Sequence, residues 1–152
     1  MKFTKSRIHA RVSLMFIFAT LLASLSLTTA NEQHNFMGKH LIASYSGCNT
    51  EALSNVDALR ATMENGVIAS GATILQSAYH EFPGNGLTMV ILLSESHASI
   101  HTYPEHGSCF IDLFTCGDNC SNEKFDAVLR AYLKPSSVHE KILLRHEKSE
   151  DF

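Results

Sequence analysis

The chain has 152 residues, 45% of them hydrophobic and 18% charged, which is the balance of an ordinary globular protein with one core. Lys2, Lys5, Arg7 and Arg11 are the only formal charges in residues 1–30, and taking those four from the net charge of −3 leaves −7 on the rest. A body that acidic repels phosphate backbones instead of releasing their counterions, which argues against nucleic acid as a partner.

The basic stretch leads into an apolar run of 16 residues, Val12 to Leu27, and closes on Thr28-Thr29-Ala30 before the polar Asn31-Glu32-Gln33. Basic, apolar, then small is the order of a secretory signal, and the run falls short of the about 20 residues of a spanning helix. Residues 1–30 are therefore expected to be a signal peptide or a membrane anchor, directing export or anchoring. Met37 opens the segment MGKHLIASYSG, and translation from there would give a cytoplasmic protein without the leader.

Residues 38–46 (GKHLIASYS) alternate apolar and polar and predict a first strand. Asn49 and Thr50 can cap a helix with Glu51 in its first turn, and Leu53, Val56, Leu59 and Met63 then form one apolar stripe at spacings of three and four. Gly66 and Gly71 mark its exit. Residues 72–80 read as a second strand, and Pro83-Gly84-Asn85-Gly86 as a turn. Leu87 to Leu93 (LTMVILL) is nearly continuous and predicts a strand buried on both faces. After the polar step Ser94 to His97, residues 98–103 form another strand, and Pro104-Glu105-His106-Gly107 turns the chain into residues 108–115. Phe125, Val128, Leu129 and Tyr132 share one face of a second helix, with Pro135 beyond its end, and residues 137–145 offer a last strand. Tight turns between consecutive strands imply an antiparallel sheet with both helices on one face. The expected fold is thus α+β, a two-layer sandwich over residues 37–147 with a charged tail at 148–152.

Ser94 to Gly117 (SESHASIHTYPEHGSCFIDLFTCG) is far more polar than a strand region needs, holding three histidines, two glutamates, an aspartate, four serines and two cysteines. His97, His101 and His106, with Glu105 or Cys116, raise the question of a metal. A spacing of four aligns side chains on a helix, however, whereas here it spans a turn and a strand, and no metal ligand is assigned. A Ser–His–acid hydrolase would want a G-x-S-x-G elbow, which is missing. Strand-end polars with hydrogen-bonded histidines remain the plain structural reading. Cys48, Cys109, Cys116 and Cys120 would permit two disulfides in an oxidising compartment, but they contain no C-x-x-C zinc pair; Cys48 and Cys109 read as small buried hydrophobes.

From Met37 to about Glu147 the chain resembles the prokaryotic S-adenosylmethionine decarboxylase proenzymes, a pyruvoyl-dependent family. GKHLIASYSGC, SGATILQSAYHEF and above all the 94–117 segment carry the resemblance. It implies cleavage between Glu95 and Ser96, with Ser96 becoming the pyruvoyl cofactor. Residues to Glu95 would form the β chain and those from Ser96 the α chain. His101 matches the histidine that removes the α-proton during processing; five residues beyond Ser96, it is expected to fold back toward the cut. Thr88 stands where the family places a hydroxyl that assists processing. The pyruvoyl ketone takes the substrate amine as a Schiff base and acts as an electron sink. Cys116 matches the donor that then protonates the α-carbon. Phe82 and Tyr103 fall at adenine-contacting positions and Glu105 at a ribose-contacting one, Tyr103 replacing the family's usual tryptophan. The resemblance further implies S-adenosylmethionine as substrate, a role in spermidine biosynthesis, and a homodimer of αβ units. Two alternatives stay open: a pyruvoyl decarboxylase of ornithine or arginine, and a binding domain that does not process.

Overall fold

The computed structural model describes residues 37–116 and 119–146, so the expectations for residues 1–30 and 148–152 fall outside the described residues. Alternation decides the sheet, because successive strand side chains point to opposite faces. In β1 (Gly38–Ser46), Leu41, Ala43 and Tyr45 are buried, while His40, Ile42 and Ser44 face the other way. The same period buries Leu87, Met89, Ile91 and Leu93 in β3 (Gly86–Leu93), Ala98 and Ile100 in β4 (Ser96–Tyr103), and Cys109, Ile111 and Leu113 in β5 (Ser108–Cys116). With β2 (Ile74–Phe82) and β6 (Ser137–Arg145) they make one antiparallel sheet in the order β2-β3-β4-β5-β1-β6. The first strand is therefore interior, held between β5 and β6.

One expectation fails here. β3 is buried on one face only, since Val90 and Leu92 are 45% and 50% exposed. Continuous apolarity suggested two covered faces, but among the described residues the helices all pack on the same side. Leu53, Leu59, Met63, Val67, Phe125, Leu129 and Leu133 join the inward strand residues in a single core cluster. Among the described residues the opposite face is left open, an α+β two-layer arrangement as the sequence predicts.

The helices also differ in detail. The stripe from Leu53 to Met63 is split into α1 (Thr50–Ser54) and α2 (Val56–Ser70) by Asn55. Its backbone N–H closes α1 on the Glu51 carbonyl at 3.1 Å, and its side chain opens α2 by accepting the Ala58 N–H at 3.2 Å. Asparagine competes for backbone groups in this way, and so favours helix ends. Gly66 is no exit: it lies inside α2, where a Cβ would come within 3.0 Å of the Phe125 ring on α3 (Asn122–Leu133). Helix α2 ends instead at Gly71, whose φ of +93° suits glycine. Ala72 and Thr73 complete that exit, so β2 starts two residues later than its pattern suggests. A hydrogen bond from the Tyr45 hydroxyl to the Asp126 carboxylate ties α3 to the sheet.

Candidate active site

Strands β4 and β5 carry most of the polar segment, and odd residues of β4 (His97, Ser99, His101, Tyr103) join even residues of β5 (Phe110, Asp112, Phe114, Cys116) on the open side of the sheet. At the start of β4 the chain leaves β3 through Ser94 and Glu95. Thr73 pins this corner: its carbonyl accepts the Ser94 N–H at 2.9 Å, and its own N–H donates to the Glu95 carboxylate at 2.9 Å. The Glu95 carbonyl accepts the backbone N–H of Cys116 at 3.1 Å. Ser96 then takes a φ of +157°, a region that side chains other than glycine's rarely enter. Regular pleating would put Ser96 and His97 on opposite faces; with this backbone, Ser96 Oγ lies 3.1 Å from His97 Nδ1.

Behind His97 stands a charge cluster. Asp112 accepts the Ser99 hydroxyl on one carboxylate oxygen, and its other oxygen is 3.7 Å from His97 Nε2 and 3.6 Å from His40 Nε2. The Phe114 ring lies 5.3 Å from the His40 ring and 5.8 Å from that of His97, with the Arg145 guanidinium 4.2 Å from its centre. The three ligand-type atoms of His40, His97 and Asp112 lie within 4.8 Å of one another, a spacing a divalent cation could bridge. We read them as a carboxylate flanked by two imidazoles. Sequence reasoning missed His40 and Asp112, although a signal was available: both are even-numbered residues on strands whose odd residues are mostly apolar (Leu41, Ala43 and Tyr45; Cys109, Ile111 and Leu113). His97 and His101 lie on one strand, not across a turn, and they share a face about 13 Å apart.

A second group gathers at the far end of β4. Thr88 and His101 face each other across the β3–β4 ladder, and the Thr88 hydroxyl hydrogen-bonds His101 Nδ1. The His101 ring lies 4.7 Å from that of Tyr103 and 6.0 Å from that of Phe82. Phe82, His101, Tyr103 and Glu105 line a cavity of about 240 Å³. Five of the sequence-derived residues thus converge: Thr88, Phe82, His101, Tyr103 and Glu105. Ser96, Glu95 and Cys116 converge separately. Because β4 runs unbroken from Ser96 to Tyr103, His101 sits roughly 16 Å along the strand from Ser96 and does not fold back toward the cut.

The cysteines are all free. Cys48 and Cys109 are buried as expected, and burial raises both thiols above their ordinary range. Burial, and then the nearby Glu95 charge, also hold the Cys120 thiol protonated, whereas Cys116 is exposed.

Comparison with known proteins bears on the family and the fold. The family model for S-adenosylmethionine decarboxylase matches residues 39–146. The chain belongs to that family. The S-adenosylmethionine decarboxylase proenzyme of Thermosipho melanesiensis is 42% identical over 103 residues, covering 68% of this chain and 79% of the relative. That of Thermotoga maritima is 40% identical over 112 residues, covering 74% and 84%. The crystal structure of the adenosylmethionine decarboxylase from Aquifex aeolicus superposes with a TM-score of 0.69 at 30% identity, covering 78% of this chain and 98% of that one. The family match includes both groups of site residues, from Phe82 through Cys116.

Proposed function

We propose that this member of the S-adenosylmethionine decarboxylase family cuts itself between Glu95 and Ser96, carries a pyruvoyl group made from Ser96, and decarboxylates S-adenosylmethionine for spermidine biosynthesis. The observation that carries the reading is the Cys116 N–H held 3.1 Å from the Glu95 carbonyl oxygen, beside a serine at φ +157°. An amide resists attack by a hydroxyl unless its carbonyl is polarised and its backbone strained; here one donor does the first and the φ supplies the second. The residues around the cut therefore fit the formation of the group. Once present, the pyruvoyl group supplies an electron sink for loss of carbon dioxide. Cys116, exposed beside the same bond, holds the proton for the α-carbon. Phe82, Tyr103 and Glu105 hold the nucleoside end, with aromatic faces suited to adenine and a carboxylate suited to ribose hydroxyls.

The 16 Å gap along β4 bears on assembly. His101 and Thr88 lie too far away to act on the Ser96 of their own chain. Both groups nevertheless sit on the open sheet face, whose Ile42, Val90, Leu92 and Phe110 are 40–52% exposed, apolar side chains that a second copy would cover. Two copies packed through this face, related by a two-fold axis, would set the Ser96 end of each against the His101 end of the other. The homodimer then has a chemical role: each site takes its cut bond and Cys116 from one chain, and Thr88, His101, Phe82, Tyr103 and Glu105 from the other.

Intact mass spectrometry tests the cut. We expect two fragments, with a pyruvoyl end on the downstream one, and a single chain from Ser96→Ala. An ordinary serine terminus or an uncut wild type would overturn the proposal. Mixing tests the shared site. Ser96→Ala and His101→Ala are each inactive alone, but co-expressed in equal amounts they should regain about a quarter of the wild-type sites, because half the dimers hold one complete site of two. No recovery would place both groups' work within one chain. Carbon dioxide released only from ornithine or arginine would reassign the substrate.

A further inference from the structure

We infer that His97 is the base that takes the Ser96 hydroxyl proton in the first step of self-cleavage, with Asp112 stabilising the imidazolium that results. This rests on the cleavage proposed above and assigns its first step to a residue beside Ser96 in the same chain. The His101 of that chain is far along the strand, His101 of the other copy is assigned the later elimination, and Cys116 contributes its backbone N–H. Ser96 Oγ, in contrast, has His97 Nδ1 at 3.1 Å, within the reach a general base needs.

The groups facing His97 suit that task. From β5, Asp112 presents an oxygen 3.7 Å from Nε2, a favourable charge for an imidazolium but too distant to take its proton. The same oxygen is 3.6 Å from His40 on β1, so two imidazoles share one carboxylate. From β6, Arg145 stacks on Phe114, which lies against His97. Ser99 fixes the other carboxylate oxygen, which leaves the first aimed at the histidines. The chain thus holds a serine, a histidine and an aspartate in sequence, with a backbone N–H opposite them on the carbonyl to be attacked. That layout can form a tetrahedral oxyanion.

The step balances within the chain. The Ser96 O–H bond breaks as its proton moves to His97 Nδ1, and Oγ bonds to the Glu95 carbonyl carbon. The oxyanion is held by the Cys116 N–H. The Glu95 C–N bond then breaks as the proton passes from His97 to the Ser96 nitrogen. The products are an ester and a free amine, and His97 returns to its starting state. Elimination of the ester follows, and that step belongs to His101.

Hydroxylamine separates the two histidines, since it cleaves an ester but leaves an amide whole. Full-length wild type, His97→Ala, His97→Gln and His101→Ala are followed by intact mass with and without hydroxylamine, and their folding is checked by circular dichroism. Both His97 variants should cut about 100-fold or more slowly and stay whole in hydroxylamine. His101→Ala should instead gather an ester that hydroxylamine splits at residue 95. Added imidazole should restore cutting in His97→Ala, which a purely structural role would not allow. Glutamine keeps the size and polarity of the site, so an uncut, folded His97→Gln carries the result if the alanine variant unfolds. Cutting at the wild-type rate in either His97 variant, or an ester gathering in one, overturns the role of His97 and leaves self-cleavage standing. An uncut wild type overturns both.

Discussion

The two faces of the sheet divide the labour of this molecule. The covered face is mostly apolar: Leu41, Met89, Ile91, Ile100 and Leu113 are each at most 2% exposed, packed beneath the helices. The open face mixes apolar residues with histidines, an aspartate and a cysteine drawn from the same strands. Alternation lets one strand serve both ends, so β4 buries Ala98 and Ile100 while presenting His97 and His101. Stability therefore concentrates on one side and chemistry on the other, with little shared between them.

The largest effect expected from this division is on the open face and costs no stability. Ser96→Ala should abolish cleavage and all turnover, yet melt with wild type, because the hydroxyl's contact is with His97 and not with the core. A melting temperature that drops by more than a few degrees would blur the two faces. Next in size is Cys116→Ala. Its backbone N–H stays on the Glu95 carbonyl, so the chain should still cut, while turnover falls by about 10²–10⁴, the range for a lost proton donor. Normal turnover would remove the thiol from the mechanism, and failure to cut would mean the side chain also matters in processing.

Neighbouring residues on β3 test the division most directly. Met89→Ala on the covered face should lose about 2–5 kcal/mol to transfer and cavity terms. Val90→Asp, one residue along on the open face, should leave the melting of the single chain within about 0.5 kcal/mol but dissociate the proposed dimer, as sedimentation would show. If both variants unfold alike, the open face is no separate surface.

This pair also marks what could be read from the sequence. LTMVILL gave no sign of which residues faced out, because both sets are apolar; only the placement of the described helices on one side settles it. The strand order was partly legible, since tight turns tie β2 to β5 in succession, but the return of β1 beside β5, with β6 on its outer side, depends on long-range pairing that no local pattern records. Among the site residues, Ser96, His101 and Cys116 were found through a continuous motif. The motif could not reveal that Ser96 and His101 stand at opposite ends of an unbroken strand, because linear nearness suggested a shared site. The Cys116 N–H on Glu95 was beyond any residue-type argument, being main chain. Asp112 was in view as an acid within the motif, but its role needed the register that sets it near both His97 and His40.

The smallest expected effect lies on the covered face and appears at high pH. Tyr45 is fully buried, and burial followed by its hydrogen bond to Asp126 raises its phenol well above the ordinary value of 10.0. Cys48 and Cys109 are likewise raised by burial above 9.0. In each case the unfolded chain gives up its proton first, so the stability these groups contribute is complete below about pH 8.5 and falls as the pH climbs through 9 and beyond 10. Thermal melts between pH 7 and 11 should show that decline. Tyr45→Phe should cost about 1 kcal/mol at pH 7 by removing the tie to α3, and it should flatten the decline above pH 10. A wild-type melt unchanged up to pH 11 would mean that the folded core admits water around these groups. The covered face would then be less sharply distinct from the chemically open one.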